Sequence, residues 1–194
     1  MNNLKIISGF QCGSDEGGVE AARLAGIQTG GHIPKGYKTL EGPKPQYKQL
    51  YGAIEDDSPL YPPRTEKNVY NSDLTIRLAY NFNSAGEKCT LNAIQKYGKP
   101  HIDVNIMDFW KLGKKILKDP GYLPMMPDNA ANHILSAGYS IVNIAGNCQY
   151  FYPGYTEFPN NVRDFVIWWV TEMLNYYRGA VNYESEENNS GIIM

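Results

Sequence analysis

The sequence predicts an α/β protein in which a mostly parallel sheet carries helices on both faces. Short apolar segments alternate with longer segments whose apolar residues recur at helical spacing. Polar loops follow three of the predicted strands, after Ser8, Tyr80 and Ala145. Because ligands bind beyond the carboxyl ends of parallel strands, we expect these three loops to meet around a binding site.

The composition is that of a soluble globular protein. Its 194 residues are 42% hydrophobic and 20% charged, with a net charge of −2. This length fits one domain with a buried core, which we expect over residues 1–182, and the acidic, asparagine-rich tail 183–194 is predicted to be disordered. The small net charge predicts that the protein binds neither nucleic acid nor an anionic membrane surface. The absence of a long apolar run predicts that no segment spans a membrane.

The cysteines and histidines give no sign of a metal site. Cys12, Cys89 and Cys148 are odd in number and widely spaced, and no secretory segment is present, which together favour a reducing, cytoplasmic setting. No Cys-x-x-Cys pair occurs, and the three histidines lack ligand spacing, so neither a metal nor a cofactor is predicted. The 15 tyrosines indicate either loops that stack on a planar ligand or a wet, tyrosine-covered surface.

The chain begins with a predicted buried strand, Leu4 to Ser8. Ser14 or Asp15 is placed to cap the following helix, and Gly26 to end it. A loop and helix N-terminus of this kind stabilise an anion, although a tight turn without a ligand is the alternative. Residues 27–37 contain four glycines or prolines within eight positions and are predicted to be irregular.

The middle of the chain contains candidate ligand-binding side chains. Lys35 lies between a proline and a glycine, where a stiff loop can present its ammonium group to a phosphate or simply to solvent. A short edge strand is expected from Leu50 to Ile54. In the helix predicted next, Arg64, Asn68 and Ser72 have helical spacing and form one row of polar groups.

Helices and strands continue to alternate through the second half. The predicted strands are Leu74–Tyr80, His101–Ile106 and Tyr139–Gly146. The predicted helices begin near Pro63, run from the Asn81–Thr90 loop to Gly98, are capped by Asp108 and continue through Leu117, cover Pro127–Ala137, and run from Pro159 to about Tyr177. The broad aromatic face of the last helix predicts a homodimer or a higher homo-oligomer.

Five sequence blocks occur in the order found in one known family. They begin at Ser8, Gly30, Arg64, Gly98 and Val142, and read Ser-Gly-x-Gln-x-Gly-x-Asp, Gly-Gly-x-x-Pro-Lys-Gly, Arg-Thr-Glu-x-Asn-Val-x-x-Ser-Asp-x-Thr, Gly-Lys-Pro and Val-Asn-Ile-Ala-Gly. Over about residues 5–172 the chain resembles the "putative molybdenum carrier" proteins, the circularly permuted YpsA branch of the SLOG superfamily. The resemblance implies a Rossmann-like fold related to that of the LOG lysine-decarboxylase-like proteins.

The chain departs from the family pattern at positions that bear on function. Phe10 and Cys12 stand where the family has glycine and threonine, and the bulk of Phe10 is expected to change the shape of the pocket. LOG-type phosphoribohydrolases carry a glutamate three residues after the threonine of their phosphate loop, and that position is Ala93 here. Without this carboxylate, hydrolysis of an N-glycosidic bond lacks an obvious acid or base.

The resemblance therefore implies a protein that binds a nucleotide-derived small molecule, such as an ADP-ribose-type ligand, and senses or sequesters it. Loss of the carboxylate from retained loops suits a viral protein that captures a host immune signal. Two alternatives stay open. One is a nucleotide-processing enzyme such as a LOG-like phosphoribohydrolase, and the other is a carrier that holds molybdate with loop amides.

No catalytic residue or metal ligand is predicted. In the enzyme alternative, acid–base chemistry would fall to Asp15, Glu16, Glu20 or Asp73. The predicted ligand-binding residues are Ser8, Gly9, Phe10, Gln11, Cys12, Gly13, Asp15, Gly31, Lys35, Arg64, Asn68, Ser72, Asp73, Ser84, Gly86, Lys88, Thr90, Asn143 and Gly146.

Overall fold

The computed structural model describes residues 4–110, 124–148 and 161–190. The strands in these ranges are β1 (Lys5–Ser8), β2 (Gln28–Ile33), β3 (Lys38–Thr39), β4 (Gly42–Pro43), β5 (Ala53–Glu55), β6 (Leu74–Ala79), β7 (His101–Asn105) and β8 (Ile141–Gly146). The helices are α1 (Ser14–Leu24), α2 (Tyr47–Tyr51), α3 (Tyr61–Tyr70), α4 (Ala85–Tyr97), α5 (Ile106–Trp110), α6 (Pro127–Ala137) and α7 (Val162–Ser190), with a short 3-10 helix at Lys35–Tyr37.

Six strands form one parallel sheet in the order β5-β2-β1-β8-β6-β7. The chain runs from β1 toward β5 on one side of the sheet, crosses to β6 and β7 on the other side, and returns with β8 between β1 and β6. Strands β3 and β4 form a separate antiparallel pair. This arrangement confirms the predicted α/β, Rossmann-like fold with a parallel sheet, and it places the reversal of strand order beside β1 and β8.

The main core joins the centre of the sheet to helix α7. Ile6, Leu78 and Ile144, on three neighbouring strands, are fully buried in one apolar cluster with Phe165 and Trp169 of α7. Helix α7 packs against α1 and α6, whereas α3 and α4 pack against each other. Among the described residues, no helix combines the length and apolar character that crossing a lipid bilayer requires.

Residues 27–37 are not irregular as predicted, because Gln28–Ile33 form strand β2. The glycines here do not break the strand but let it approach its neighbour. Gly31 has a φ of 120°, and a Cβ at this position would overlap the backbone of Ser8. The predicted edge strand at Leu50–Ile54 is shifted, since helix α2 includes residues 50 and 51, while β5 does lie at the edge of the sheet.

The predicted cap of α1 is wrong, because neither Ser14 nor Asp15 caps the helix with its side chain. Gly13 occupies the N-cap position. The Ser14 hydroxyl instead donates to the carbonyl of Leu78, 2.6 Å away, and so fixes the start of α1 to strand β6.

Helices α5 and α7 also differ from the sequence prediction. Asp108 lies inside α5, and Asn105 instead accepts a backbone N–H of the first turn, from Met107. The predicted continuation through Leu117 and the predicted start at Pro159 lie outside the described residues. Helix α7 continues to Ser190, where the composition predicts disorder from residue 183, and no proline or glycine after Gly179 interrupts it.

Replacing Gly31 with alanine tests the close approach of β1 and β2. The new Cβ would overlap the Ser8 backbone, and alanine rarely adopts the φ of this position. The free energy of unfolding measured by urea denaturation is therefore expected to fall by more than ~2 kcal/mol. Gly179→Ala is the matched control, because Gly179 lies within α7, where an added Cβ would meet no neighbouring group. Equal stability of Gly31→Ala and the parent would contradict this packing.

Candidate binding site

A cavity of about 490 Å³ lies beyond the carboxyl ends of β1, β6 and β8. The loops that follow these strands contribute Gln11, Tyr80 and Asn147 to its wall, so they converge as predicted. Its size falls within the range of small-molecule sites. The predicted site residues that line it are Gln11, Asp15, Arg64, Asn68, Ser84, Gly86, Thr90, Asn143 and Gly146.

A buried ion pair between Asp15 and Arg64 forms one wall of the cavity. The Arg64 guanidinium donates to the Asp15 carboxylate across 3.2 Å, and the two side chains are 11% and 4% exposed, Arg64 being the more exposed. Gly9 makes room for this pair, since a Cβ there would overlap the guanidinium. Burial raises the pKa of Asp15, while Arg64 and the N–H of Gln11 oppose that rise.

Asn68 fixes helix α3, and with it Arg64, to the sheet. Its side-chain oxygen accepts the N–H of His32 at 2.7 Å. Its amide nitrogen donates to the carbonyls of Ser8 and His32 at 3.0 and 3.1 Å. Because Asn68 is buried and satisfies backbone groups of two strands, it positions Arg64, one helical turn earlier, at the cavity.

Asn147 connects the three loops that surround the cavity. Its side-chain oxygen accepts the N–H groups of Tyr80 and Asn81 at 2.9 and 2.8 Å. Its amide nitrogen donates to the Asn81 carbonyl and the Ser84 hydroxyl, at 3.2 and 3.3 Å. Its backbone carbonyl accepts the N–H of Ser14 at the start of α1. Asn147 is not among the site residues predicted from the sequence, although a polar residue directly after the glycine that ends β8 is a usable signal.

Helices α1 and α4 both begin at the cavity. At α4 the Ser84 hydroxyl accepts the N–H of Glu87, and Gly98 ends the helix in a left-handed conformation, as predicted. The cavity wall includes Asp15 from the first turn of α1 and Gly86 from the first turn of α4. Helix N-termini carry partial positive charge, so this edge of the sheet favours an anionic group.

Glu87 is a cavity-lining carboxyl group that the sequence analysis did not predict as a site residue. The spacing Ser84-x-x-Glu87 is that of a capping box, but the carboxyl group turns inward and is 1% exposed. Its Oε1 lies 3.5 Å from the amide nitrogen of Asn147. Its Oε2 has no hydrogen-bond partner among the described residues and lies 3.8 Å from a guanidinium nitrogen of Arg77.

The surroundings of Glu87 favour its protonated form. Arg77 donates two hydrogen bonds of 2.7 and 2.5 Å to Asp103 and one of 3.4 Å to the backbone carbonyl of Glu87. Burial raises the pKa of Glu87 to about 7, Arg77 opposes this, and the charges of Asp15 and Asp103 add to it. Glu87 therefore changes its charge close to neutral pH.

Aromatic side chains complete the wall. Tyr61 and Tyr80 both line the cavity, and the Tyr61 ring lies 5.9 Å from the guanidinium carbon of Arg64. A tyrosine ring presents a flat apolar face of the kind that stacks on a planar ligand. Neither residue was predicted as a site residue, although loops that stack on a planar ligand were one of the two interpretations of the tyrosine-rich composition.

All three cysteines lie at or beside the cavity. Cys148 lines it and is disulfide-bonded to Cys12, with the two Cα atoms 4.8 Å apart. The bond ties the first loop to the end of β8. Cys89 also lines the cavity and is a free thiol. The sequence did not predict this disulfide bond, because its two cysteines are 136 residues apart and no local pattern connects them.

Several predicted site residues do not line this cavity. They are Ser8, Gly9, Phe10, Cys12, Gly13, Gly31, Lys35, Ser72, Asp73 and Lys88. Phe10 is fully buried and packs against Tyr47 and Tyr51, with ring centroids 5.9 and 6.2 Å apart. The bulk of Phe10 is therefore directed away from the cavity, and the expected change in pocket shape stays a prediction.

The carboxylates considered for the enzyme alternative do not come together. Glu16 and Glu20 accept hydrogen bonds of 2.8 Å from Tyr47 and Tyr51, and neither glutamate lines the cavity. Asp73 accepts the backbone N–H groups of residues 140 and 141 at the opposite end of β8. Of these four carboxylates, Asp15 alone is among the cavity-lining residues of the described chain.

The parallel sheet and the cavity beyond its carboxyl ends define a Rossmann-like protein. The sequence model of the circularly permutated YpsA SLOG family matches residues 6–154, and the chain belongs to this family. It is also similar to a solved structure, described as a "putative molybdenum carrier protein" from Syntrophus aciditrophicus SB. The two share 25% sequence identity with a TM-score of 0.63, over 90% of this chain and 94% of the other. No curated protein matches the chain significantly.

Replacing Glu87 with glutamine tests whether the carboxyl group is held protonated. A carboxyl group whose pKa is higher in the folded than in the unfolded chain lowers stability as pH rises from about 4.5 to about 7. Glu87→Gln removes this loss, so the variant is expected to gain up to ~3 kcal/mol over the parent at about pH 8 and little at about pH 5. Urea denaturation at both pH values measures the difference, and a pH-independent difference would contradict the raised pKa.

Proposed function

We propose that the chain binds a phosphorylated, nucleotide-derived small molecule in this cavity. The observation that carries the proposal is the meeting of two helix N-termini with the Arg64 guanidinium in one cavity. Backbone N–H groups and a guanidinium suit phosphate oxygens. Tyr61 and Tyr80 supply aromatic surface for a base, and a cavity of about 490 Å³ is much larger than one tetrahedral oxyanion needs.

Binding without hydrolysis is the form of this function that the site favours. Ala93, at the position of the LOG-type glutamate, is buried in a small apolar cluster with Val69 and Ile94. It is not among the residues that line the cavity. A carboxylate of that type is therefore missing from the position where the resemblance would require it, which supports sensing or sequestration of the ligand. We propose that the bound molecule is a ligand that the protein senses or sequesters, and that the protein uses no cofactor.

Molybdate is the second candidate ligand. It is favoured by the similarity to the Syntrophus protein described as a molybdenum carrier, and loop N–H groups that hold phosphate also hold other tetrahedral oxyanions. Capture of a host immune nucleotide by a viral protein and a cytoplasmic location stay predictions from the sequence. The homo-oligomer also stays a prediction, and Phe165 and Trp169, on which it partly rested, are buried within the chain itself.

Replacing Arg64 tests the anion-binding wall, with ADP-ribose as the probe. Arg64→Ala removes a charge-assisted donor, so calorimetry is expected to show an affinity loss of about 10- to 100-fold. Arg64→Lys retains a positive charge beside Asp15 and should lose less. Arg23→Ala is the matched control, since Arg23 forms an exposed pair with Glu20 outside the cavity. Equal affinity of Arg64→Ala and the parent would remove Arg64 from the site.

The identity and fate of the ligand can be read directly from the purified chain. Heat denaturation is expected to release an intact phosphorylated nucleotide derivative, detectable by mass spectrometry, after incubation with ADP-ribose or cyclic ADP-ribose. Recovery of cleaved products would favour the enzyme alternative. Recovery of molybdenum with no nucleotide would favour the oxyanion carrier instead.

A further inference from the structure

The Glu87 carboxyl group is buried at the cavity without a complete set of partners. Glu87 lines the cavity, its Oε2 is buried and has no hydrogen-bond partner among the described residues, and the contact of Oε1 with Asn147 is long, at 3.5 Å. An unpaired polar atom in the interior costs free energy. At the wall of a cavity, a bound water or a ligand can supply the missing partner of such an atom.

Helix capping does not account for the inward position of Glu87. In a capping box the glutamate would accept the N–H of Ser84, but that N–H donates to the carbonyl of Asn81. Arg77 is held by Asp103 on the neighbouring strand, and its nearest approach to Glu87 Oε2 is 3.8 Å. The carboxyl group therefore gives up a helix-capping role, and its ion pair with Arg77 is longer than the one that Arg77 forms with Asp103.

We infer that Glu87 forms a subsite in which its carboxyl O–H donates a hydrogen bond to an anionic oxygen of the bound ligand. This inference rests on the proposed function, and it adds the chemistry of the recognised atom. Only the protonated carboxyl group donates, whereas the ionised form repels an anion. Each molecule of ligand is therefore bound together with the proton on Glu87.

The charged groups around Glu87 fix the direction of the pH dependence. Arg77 on β6 favours ionisation, whereas Asp103 on β7 and Asp15 on α1 oppose it, and Arg64 on α3 partly compensates Asp15. With burial included, the pKa of Glu87 lies at about 7. The affinity for an anion is accordingly highest below this pH and falls as the pH rises above it.

ADP-ribose is the suitable probe because its diphosphate has no ionisation near neutral pH, unlike a phosphomonoester, whose second pKa is about 6. Calorimetric titration of the parent chain is expected to show affinity falling up to about tenfold per pH unit above pH 7. Titration in two buffers of different ionisation enthalpy should show net proton uptake on binding. Glu87→Gln keeps an N–H donor and cannot titrate, so its affinity should not change with pH.

A matched variant separates Glu87 from its charged neighbour. Asp15→Asn removes the other buried carboxyl group of the cavity and should retain the pH dependence of the parent, shifted to lower pH. The same pH profile for Glu87→Gln and the parent would overturn the inference. Binding of ADP-ribose by the parent with equal affinity at about pH 6 and about pH 8 would also overturn it, while leaving the proposed function intact.

Failure of ADP-ribose to bind at either pH would instead contradict the proposed function. The titration of the Glu87 carboxyl group is then followed by ¹³C NMR in the chain without ligand, and the Glu87→Gln variant identifies its signal. A titration midpoint near 7 supports a protonated donor, and a midpoint near the ordinary value of 4.5 overturns it whether or not a ligand binds.

Discussion

The candidate site depends on the hydrogen bonds of Asn147. Three parallel strands bring their loops to one edge of the sheet, but parallel pairing ends where the strands end and does not fix the path of the loops beyond them. Asn147 supplies that constraint, because its side chain satisfies backbone groups of the loop after β6, and its own carbonyl accepts the first N–H of α1. Buried amide groups with all their partners in place select one arrangement of the surrounding chain. The distance between the two helix N-termini, and so the shape of the cavity, depends on this residue.

The charges of the side chains that line the cavity nearly cancel. Small electrostatic contributions therefore decide whether the cavity attracts an anion. Arg64 brings one positive charge, and Asp15 cancels much of it at 3.2 Å. An ionised Glu87 would leave the wall negative and unsuited to phosphate. A protonated Glu87, together with the partial charges of two helix N-termini, leaves it weakly positive. Recognition of an anion here therefore depends on oriented dipoles and hydrogen-bond donors more than on an excess of basic residues.

Local sequence patterns were sufficient for much of the fold. The alternation of apolar strands and amphipathic helices predicted the parallel sheet, and the polar residues after Ser8, Tyr80 and Ala145 predicted where the cavity lies. The sequence does not predict strand β2, because glycines usually interrupt regular structure, whereas here they permit close strand packing. Glu87 and Asn147 were missed because their roles come from partners about 60 residues apart in sequence, such as the contact that joins them. No local pattern shows whether a polar residue near a helix start turns outward or inward.

The bond between Cys12 and Cys148 gives the chain a covalent topology that secondary structure alone does not reveal. It closes a ring whose ends are 136 residues apart and which contains every cavity-lining residue except Gln11. A ring of this length restricts the unfolded chain by an entropy worth ~4 to 5 kcal/mol. Helix α7 lies outside the ring and is joined to it by the chain beyond Cys148, by packing and by hydrogen bonds such as that from the Trp169 indole to the Met125 carbonyl. If α7 came away from the rest of the protein, the ring would stay closed. The residues that form the cavity are therefore held together covalently without the helix that completes the core.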